Sequence, residues 1–215
     1  MSAVHIPAGS AELDGELLLP TPAKGVVVFA HGSGSSRFSP RNTYVAEVLQ
    51  QHGMGTLLFD LLTRAEDQAY ETRFDIALLT QRLLSATAWL QNNPKTGGLS
   101  MGYFGASTGA AAALQAAAEM GNRISAVVSR GGRPDLAGAA ALRQVTAPTL
   151  LIVGGADRRV LELNEEAQQA LQCTSELAVL AGATHLFEQP GALEQVSALA
   201  TDWYDRHLAS TERLG

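Results

Sequence analysis

The chain contains one cysteine, Cys173, so no disulfide can form within it. Its stability must come from a packed core rather than from covalent staples. No apolar run approaches the ~18 residues needed to span a bilayer. The opening stretch, MSAVHIPAGSAELDG, has neither a basic head nor an apolar centre, so it does not read as a secretory leader. Lysine and arginine form no dense cluster, and the formal net charge is −6. That balance argues against nucleic acid or an anionic membrane as a partner. The sequence also lacks H-E-x-x-H, any Cys/His cluster with metal spacing, the G-K-[ST] ending of a phosphate loop and the G-x-G-x-x-G spacing. We therefore expect no metal, no nucleotide and no organic cofactor, and a cytoplasmic location.

What is present suits one soluble domain. The 215 residues are 46% apolar and 17% charged, enough chain for a three-layer fold with a real core. Short apolar runs recur at Gly25–Ala30, Thr56–Phe59, Met101–Phe104, Ile124–Val128 and Thr149–Val153. Runs of this kind, rich in β-branched residues and bounded by glycine or proline, read as strands covered on both faces. Ala11–Leu19 and Glu176–Leu180 are weaker strands. Helical spacing is expected over Asn42–His52, Asp75–Gln91, Thr108–Met120, Glu162–Leu171 and a final stretch from Leu193 to His207. This alternation predicts an α/β fold, a mostly parallel sheet with helices on both faces.

The chemistry centres on Gly105-Ala106-Ser107-Thr108-Gly109. It is a G-x-S-x-G stretch between an apolar strand and a helix, the setting that presents a serine nucleophile on a sharp turn. A serine hydroxyl needs a base to take its proton. His185, in the loop after the last strand, is the candidate. An acid must orient that histidine. Asp157, after Leu150–Val153, is preferred, and Asp135, after the preceding strand, competes with it. The backbone N–H groups of Thr108 and Ser33 are the candidate oxyanion donors. Ser33 lies in the loop His31-Gly32-Ser33-Gly34-Ser35-Ser36, where Gly32 and Gly34 allow close approach of substrate. His31 is expected to brace this loop. Arg37 and Arg130 are possible substrate-binding residues within a looser set that includes Arg41 and Arg133, since a guanidinium pairs well with a carboxylate. Asp60 is expected to be structural.

Taken together, HGSGSS (31–36), SPRN (39–42), LLFDLLT (57–63), GASTG (105–109), GGAD (154–157) and GATHLF (182–187) resemble the α/β-hydrolase superfamily. Within it, the match is to the small dienelactone-hydrolase-like branch and covers nearly the whole chain. The resemblance implies eight strands with the second antiparallel, a triad on loops at one sheet edge, and ester hydrolysis through an acyl-enzyme. Dienelactone hydrolases proper carry cysteine at the nucleophile position, where this chain has Ser107. That departure favours a carboxylesterase. Only Arg130 to Pro148 separates the two strands between which larger relatives insert a cap, so an open site for small or accessible esters is expected. The alternatives are an acyltransferase, thioesterase or amidase with the same triad, and a hydrolase-fold binding protein.

Overall fold

Continuous apolar sequence becomes the middle of the sheet. In the computed structural model, which describes residues 2–208, strands β3 (Val26–Ala30), β4 (Gly55–Phe59), β5 (Met101–Ala106), β6 (Ala126–Arg130) and β7 (Thr149–Gly154) are buried at every position. Such strands must be covered on both faces, because no side is left for polar residues. Towards one edge β2 (Ala11–Leu18) alternates, burying Leu13, Gly15 and Leu17. At the margins lie β1 (Ser2–Ala8) and β8 (Ser175–Leu180). The sheet has eight strands in the order β1-β2-β4-β3-β5-β6-β7-β8. β2 runs antiparallel to β1 and to β4, and every other pairing is parallel.

Local chemistry sets the helix ends. α1 (Pro40–Gln51) begins two residues before the expected start, because Ser39 caps it by accepting from the Asn42 N–H at 3.4 Å. α2 (Ile76–Asn92) is capped by Asp75, which accepts from the Leu78 N–H at 3.0 Å. α3 (Thr108–Met120) has the expected bounds and stops at Gly121, whose φ is 57°. Between β6 and β7 there is a single 3-10 turn and the six-residue α4 (Ala139–Gln144), leaving no room for a cap domain. α5 (Arg158–Ala170) and α6 (Ala192–His207) complete the set.

The sheet divides two cores. One joins Leu79, Leu83, the alanines of α3, Leu142 and Ala167 beneath α2 to α5. The other joins Val45, Leu49, Val196 and Trp203 beneath α1 and α6. Two large polar side chains of the second core find backbone acceptors. The Tyr204 hydroxyl donates to the Tyr103 carbonyl at 2.7 Å, and the Trp203 indole N–H to the Pro148 carbonyl at 3.2 Å. Parallel pairing brings the carboxyl ends of β3 to β8 to one edge. The loops that follow β3, β5, β6, β7 and β8 meet there.

Candidate active site

β5 ends at Ala106 and α3 begins at Thr108, so Ser107 alone makes the turn between them. Its backbone has φ 51° and ψ −121°, a conformation that costs a non-glycine residue about 1–3 kcal/mol. The surroundings impose it. The Ser107 N–H donates to the Arg130 carbonyl at 3.3 Å, and its carbonyl accepts from the N–H groups of Ala110 and Arg133, each at 3.1 Å. The flanking glycines are needed for space. A Cβ on Gly105 would lie 2.4 Å from Ala110 Cα, and one on Gly109 would lie 2.1 Å from the Ala30 carbonyl oxygen. The β3 loop also presses close, since a Cβ on Gly32 would sit 3.0 Å from Ser107 Cβ.

His185 stands on the loop between β8 and α6. Its Nδ1 lies 2.8 Å from Asp157 Oδ2. An ionised carboxylate only accepts, so Nδ1 carries the proton and Nε2 is left with a free lone pair. Asp157 closes β7 and stands at the N-cap of α5. Asp135 does not meet the histidine. Both its oxygens accept from Arg133, at 2.8 Å and 2.7 Å, in a forked pair that raises the arginine's pKa.

Ser107 and His185 line one open cleft of about 280 Å³ with Gly32, Ser33, Arg41 and Arg130. Among the described residues no hydrogen bond joins Ser107 Oγ to the histidine. Such contacts commonly tighten only when substrate is bound.

The two expected oxyanion donors differ. Thr108 is the first residue of α3, so its N–H has no acceptor within the helix and lies at the positive end of the helix dipole. The Ser33 N–H is not free. It donates to Thr108 Oγ1 at 2.9 Å. An oxyanion would have to share that N–H with the threonine hydroxyl.

Two of the possible substrate-binding residues do not line this cleft. Arg37 pairs with Asp60 through its backbone N–H, at 2.7 Å, and through its guanidinium. It faces a separate depression of about 360 Å³ near Asp14 and Asp67, not the cleft that holds Ser107. Gly34, with φ 67°, bends the β3 loop and lines a different hollow near Arg73. Gly32 and Arg130 do line the cleft. Arg130 is 6% exposed, its Nη2 donates to Asn42 Oδ1 at 3.2 Å, and its Nε has no acceptor. Burial, reinforced by the neighbouring Arg41, pulls its pKa down to about 10.

With this geometry in view, comparison with known proteins decides the family. The model of the alpha/beta hydrolase domain family matches residues 23–202. The chain belongs to that family. A solved structure of a dienelactone hydrolase from Anabaena variabilis is 55% identical, superimposes with a TM-score of 0.94, and is matched over 96% of this chain and 97% of its own. Est1E from Butyrivibrio proteoclasticus shares the fold at a TM-score of 0.82 and 15% identity, over 96% of this chain and 98% of its own. A relative from Mycobacterium tuberculosis, provisionally named a phosphoribosyl transferase, is 58% identical over 205 residues, which are 95% of this chain. This hydrolase domain spans only 46% of that relative's length.

Two supports of the hydrolase site carry no clear mark in the sequence. Phe187 is buried at φ 56°, and its N–H donates to the Thr184 carbonyl at 3.2 Å. Its ring packs against Gly131, where a Cβ would meet both that ring and the His185 carbonyl oxygen at 3.1–3.3 Å. A bulky residue at positive φ follows no local rule, so only the folded loop reveals it. His31, by contrast, braces as expected. Its Nδ1 lies 2.9 Å from the Gly32 carbonyl oxygen, and its Nε2 accepts from the Leu61 N–H at 3.0 Å. Burial holds its pKa below the ordinary value, consistent with a neutral ring.

Proposed function

We propose that this hydrolase domain is a serine carboxylesterase for small or accessible esters. The supporting observation is the shared cleft: Ser107 on its strained turn, with His185 beside it and the far side of that imidazole held by Asp157. In this reading Ser107 Oγ attacks the ester carbonyl while His185 Nε2 takes its proton. Asp157 stabilises the imidazolium that results. The tetrahedral oxyanion is received by the Thr108 N–H and by the Ser33 N–H. Collapse breaks the C–O bond to the alcohol, which leaves with the proton from His185. Water, deprotonated by the same histidine, then attacks the acyl-serine, and the acid is released. The short α4 region leaves the cleft open, which favours small acyl groups.

The Anabaena protein is named a dienelactone hydrolase, and a lactone is a cyclic ester open to the same attack. The mycobacterial relative's name speaks of phosphoribosyl transfer, but it describes a protein more than twice as long as the shared region. Transfer of the acyl group to an acceptor other than water is the second reading. The partner we propose is thus a small-molecule ester, and we place the protein in the cytoplasm, where a lone thiol stays reduced.

The test is hydrolysis of p-nitrophenyl esters from acetyl to palmitoyl, with the acid product identified. Turnover should be highest for the short acyl groups and fall by about 10⁴-fold or more in Ser107→Ala. Turnover rising steadily with acyl length would refute the open-site reading. An acyl conjugate formed in place of free acid would establish the transferase reading.

A further inference from the structure

One charge in the catalytic cleft has no counterpart. Arg130 closes β6 beside Ser107, and it is almost wholly buried. Among the described residues no carboxylate pairs with it. Its Nη2 meets only the neutral Asn42 Oδ1, at 3.2 Å, and its Nε meets no acceptor. Phe187 covers one side, with the ring centroid 5.9 Å from Cζ. A buried guanidinium left in this state is costly, and proteins ordinarily pair or neutralise such a group. Here a second guanidinium, Arg41, lines the same cleft. Its nearest carboxylate oxygen, on the exposed Glu188, is 4.0 Å away.

The start of α1 adds donors of the same kind. Ser39 Oγ accepts from the Asn42 N–H, which leaves its own proton free to donate. Arg41 is at the second helical position, so its N–H has no partner within the helix. A helix N-terminus, two arginines and serine hydroxyls thus surround one pocket.

We propose that Arg130 and Arg41 seat a phosphate group carried by the substrate, so that the enzyme cleaves carboxylic esters of phosphorylated compounds. This rests on the esterase reading of Ser107. The phosphate is held and not cleaved; the bond broken remains the acyl C–O bond. A phosphate dianion can meet the unmatched Arg130 and, at the same time, Arg41, which the exposed Glu188 holds only loosely at 4.0 Å. Its several oxygens can also accept from donors on different sides, as a phosphate site requires.

Inorganic phosphate is the probe. It is titrated into the full chain by calorimetry and by phosphorus NMR line broadening, with chloride holding ionic strength constant. Wild-type protein is expected to bind one phosphate. Arg130→Met should weaken that binding at least tenfold, and Arg41→Gln several-fold. Arg41 is partly exposed, so its variant decides the matter if Arg130→Met does not fold. Phosphate should also slow fluorophosphonate labelling of Ser107. No phosphate binding by the wild type, binding unchanged in Arg41→Gln, or acetate and succinate binding as tightly as phosphate would each overturn the proposal. The titration needs no catalysis. Absent labelling at Ser107 therefore refutes the esterase reading separately, while absent phosphate binding alongside normal labelling refutes the anion seat alone.

Discussion

Asp157 Oδ2 lies 2.8 Å from His185 Nδ1, while Asp135, the carboxylate that follows β6, gives both of its oxygens to Arg133. The two acids are therefore expected to respond differently to the same change. Asp157→Asn should lower kcat on p-nitrophenyl acetate by about 10²–10⁴-fold, because an amide can stabilise the wrong tautomer of the imidazole. Asp135→Asn should leave kcat within about threefold and cost at most ~1 kcal/mol, since it loosens a half-exposed ion pair. Steady-state rates and thermal melts of the two variants make the comparison. A larger kcat loss for Asp135→Asn would reverse the assignment.

Thr108 contributes more than a backbone amide. Its buried hydroxyl accepts from the Ser33 N–H and so ties the β3 loop to the serine turn. Thr108→Val keeps the shape but removes the acceptor, at a cost of about 1–3 kcal/mol for the unpaired N–H. With the loop untethered, kcat should fall by about 10- to 100-fold. Thr108→Ser should behave like the wild type. A rise in kcat for the valine variant would mean instead that the hydroxyl competes with the oxyanion for the Ser33 N–H.

Gly109 has no room for a methyl group, because its Cβ would fall 2.1 Å from the Ala30 carbonyl oxygen. Gly109→Ala should destabilise the fold by about 3 kcal/mol or more, a size reserved for clashes of this type. Denaturant melts report it, and a loss below ~1 kcal/mol would contradict the packing described around the turn.

Much of this arrangement was legible in the sequence, and the exceptions have physical causes. The five central strands are buried on both faces, so their sequence is apolar without interruption and stands out. The serine turn shows itself because two steric demands fall on Gly105 and Gly109, only a few residues apart. The first strand was missed. Only Ile6 and Ala8 of β1 are buried, and Pro7 breaks the usual strand pattern in a way that an edge tolerates. α5 begins at Arg158, four residues before the expected start, because its first turn carries charged residues that periodicity ignores. Side-chain partners were the least legible. Nothing in HGSGSSR indicates that Arg37 turns away to Asp60, or that the Ser33 N–H is taken by Thr108. Those pairings join residues 23 and 75 positions apart.

His31 should make the fold sensitive to mild acid. Burial lowers its pKa in the folded state from the ordinary 6.5, so the folded protein resists taking up a proton that the unfolded chain accepts. Its contribution to stability is complete above pH 6.5 and declines as pH falls from there through the folded value. Denaturant midpoints measured from pH 8 to pH 5 should therefore drop below about 6.5. His31→Gln should be less stable at neutral pH, with a shallower fall over that range. An unchanged slope in the variant would remove His31 from the explanation.

An activated nucleophile at Ser107 is what every step of the proposed reaction requires. Reaction of the intact protein with a fluorophosphonate, followed by mass spectrometry of the peptides, reads this directly. A single covalent adduct is expected on Ser107, lost in Ser107→Ala and strongly slowed in His185→Ala. A wild-type protein that stays unlabelled at Ser107, or is labelled equally well without His185, would contradict it.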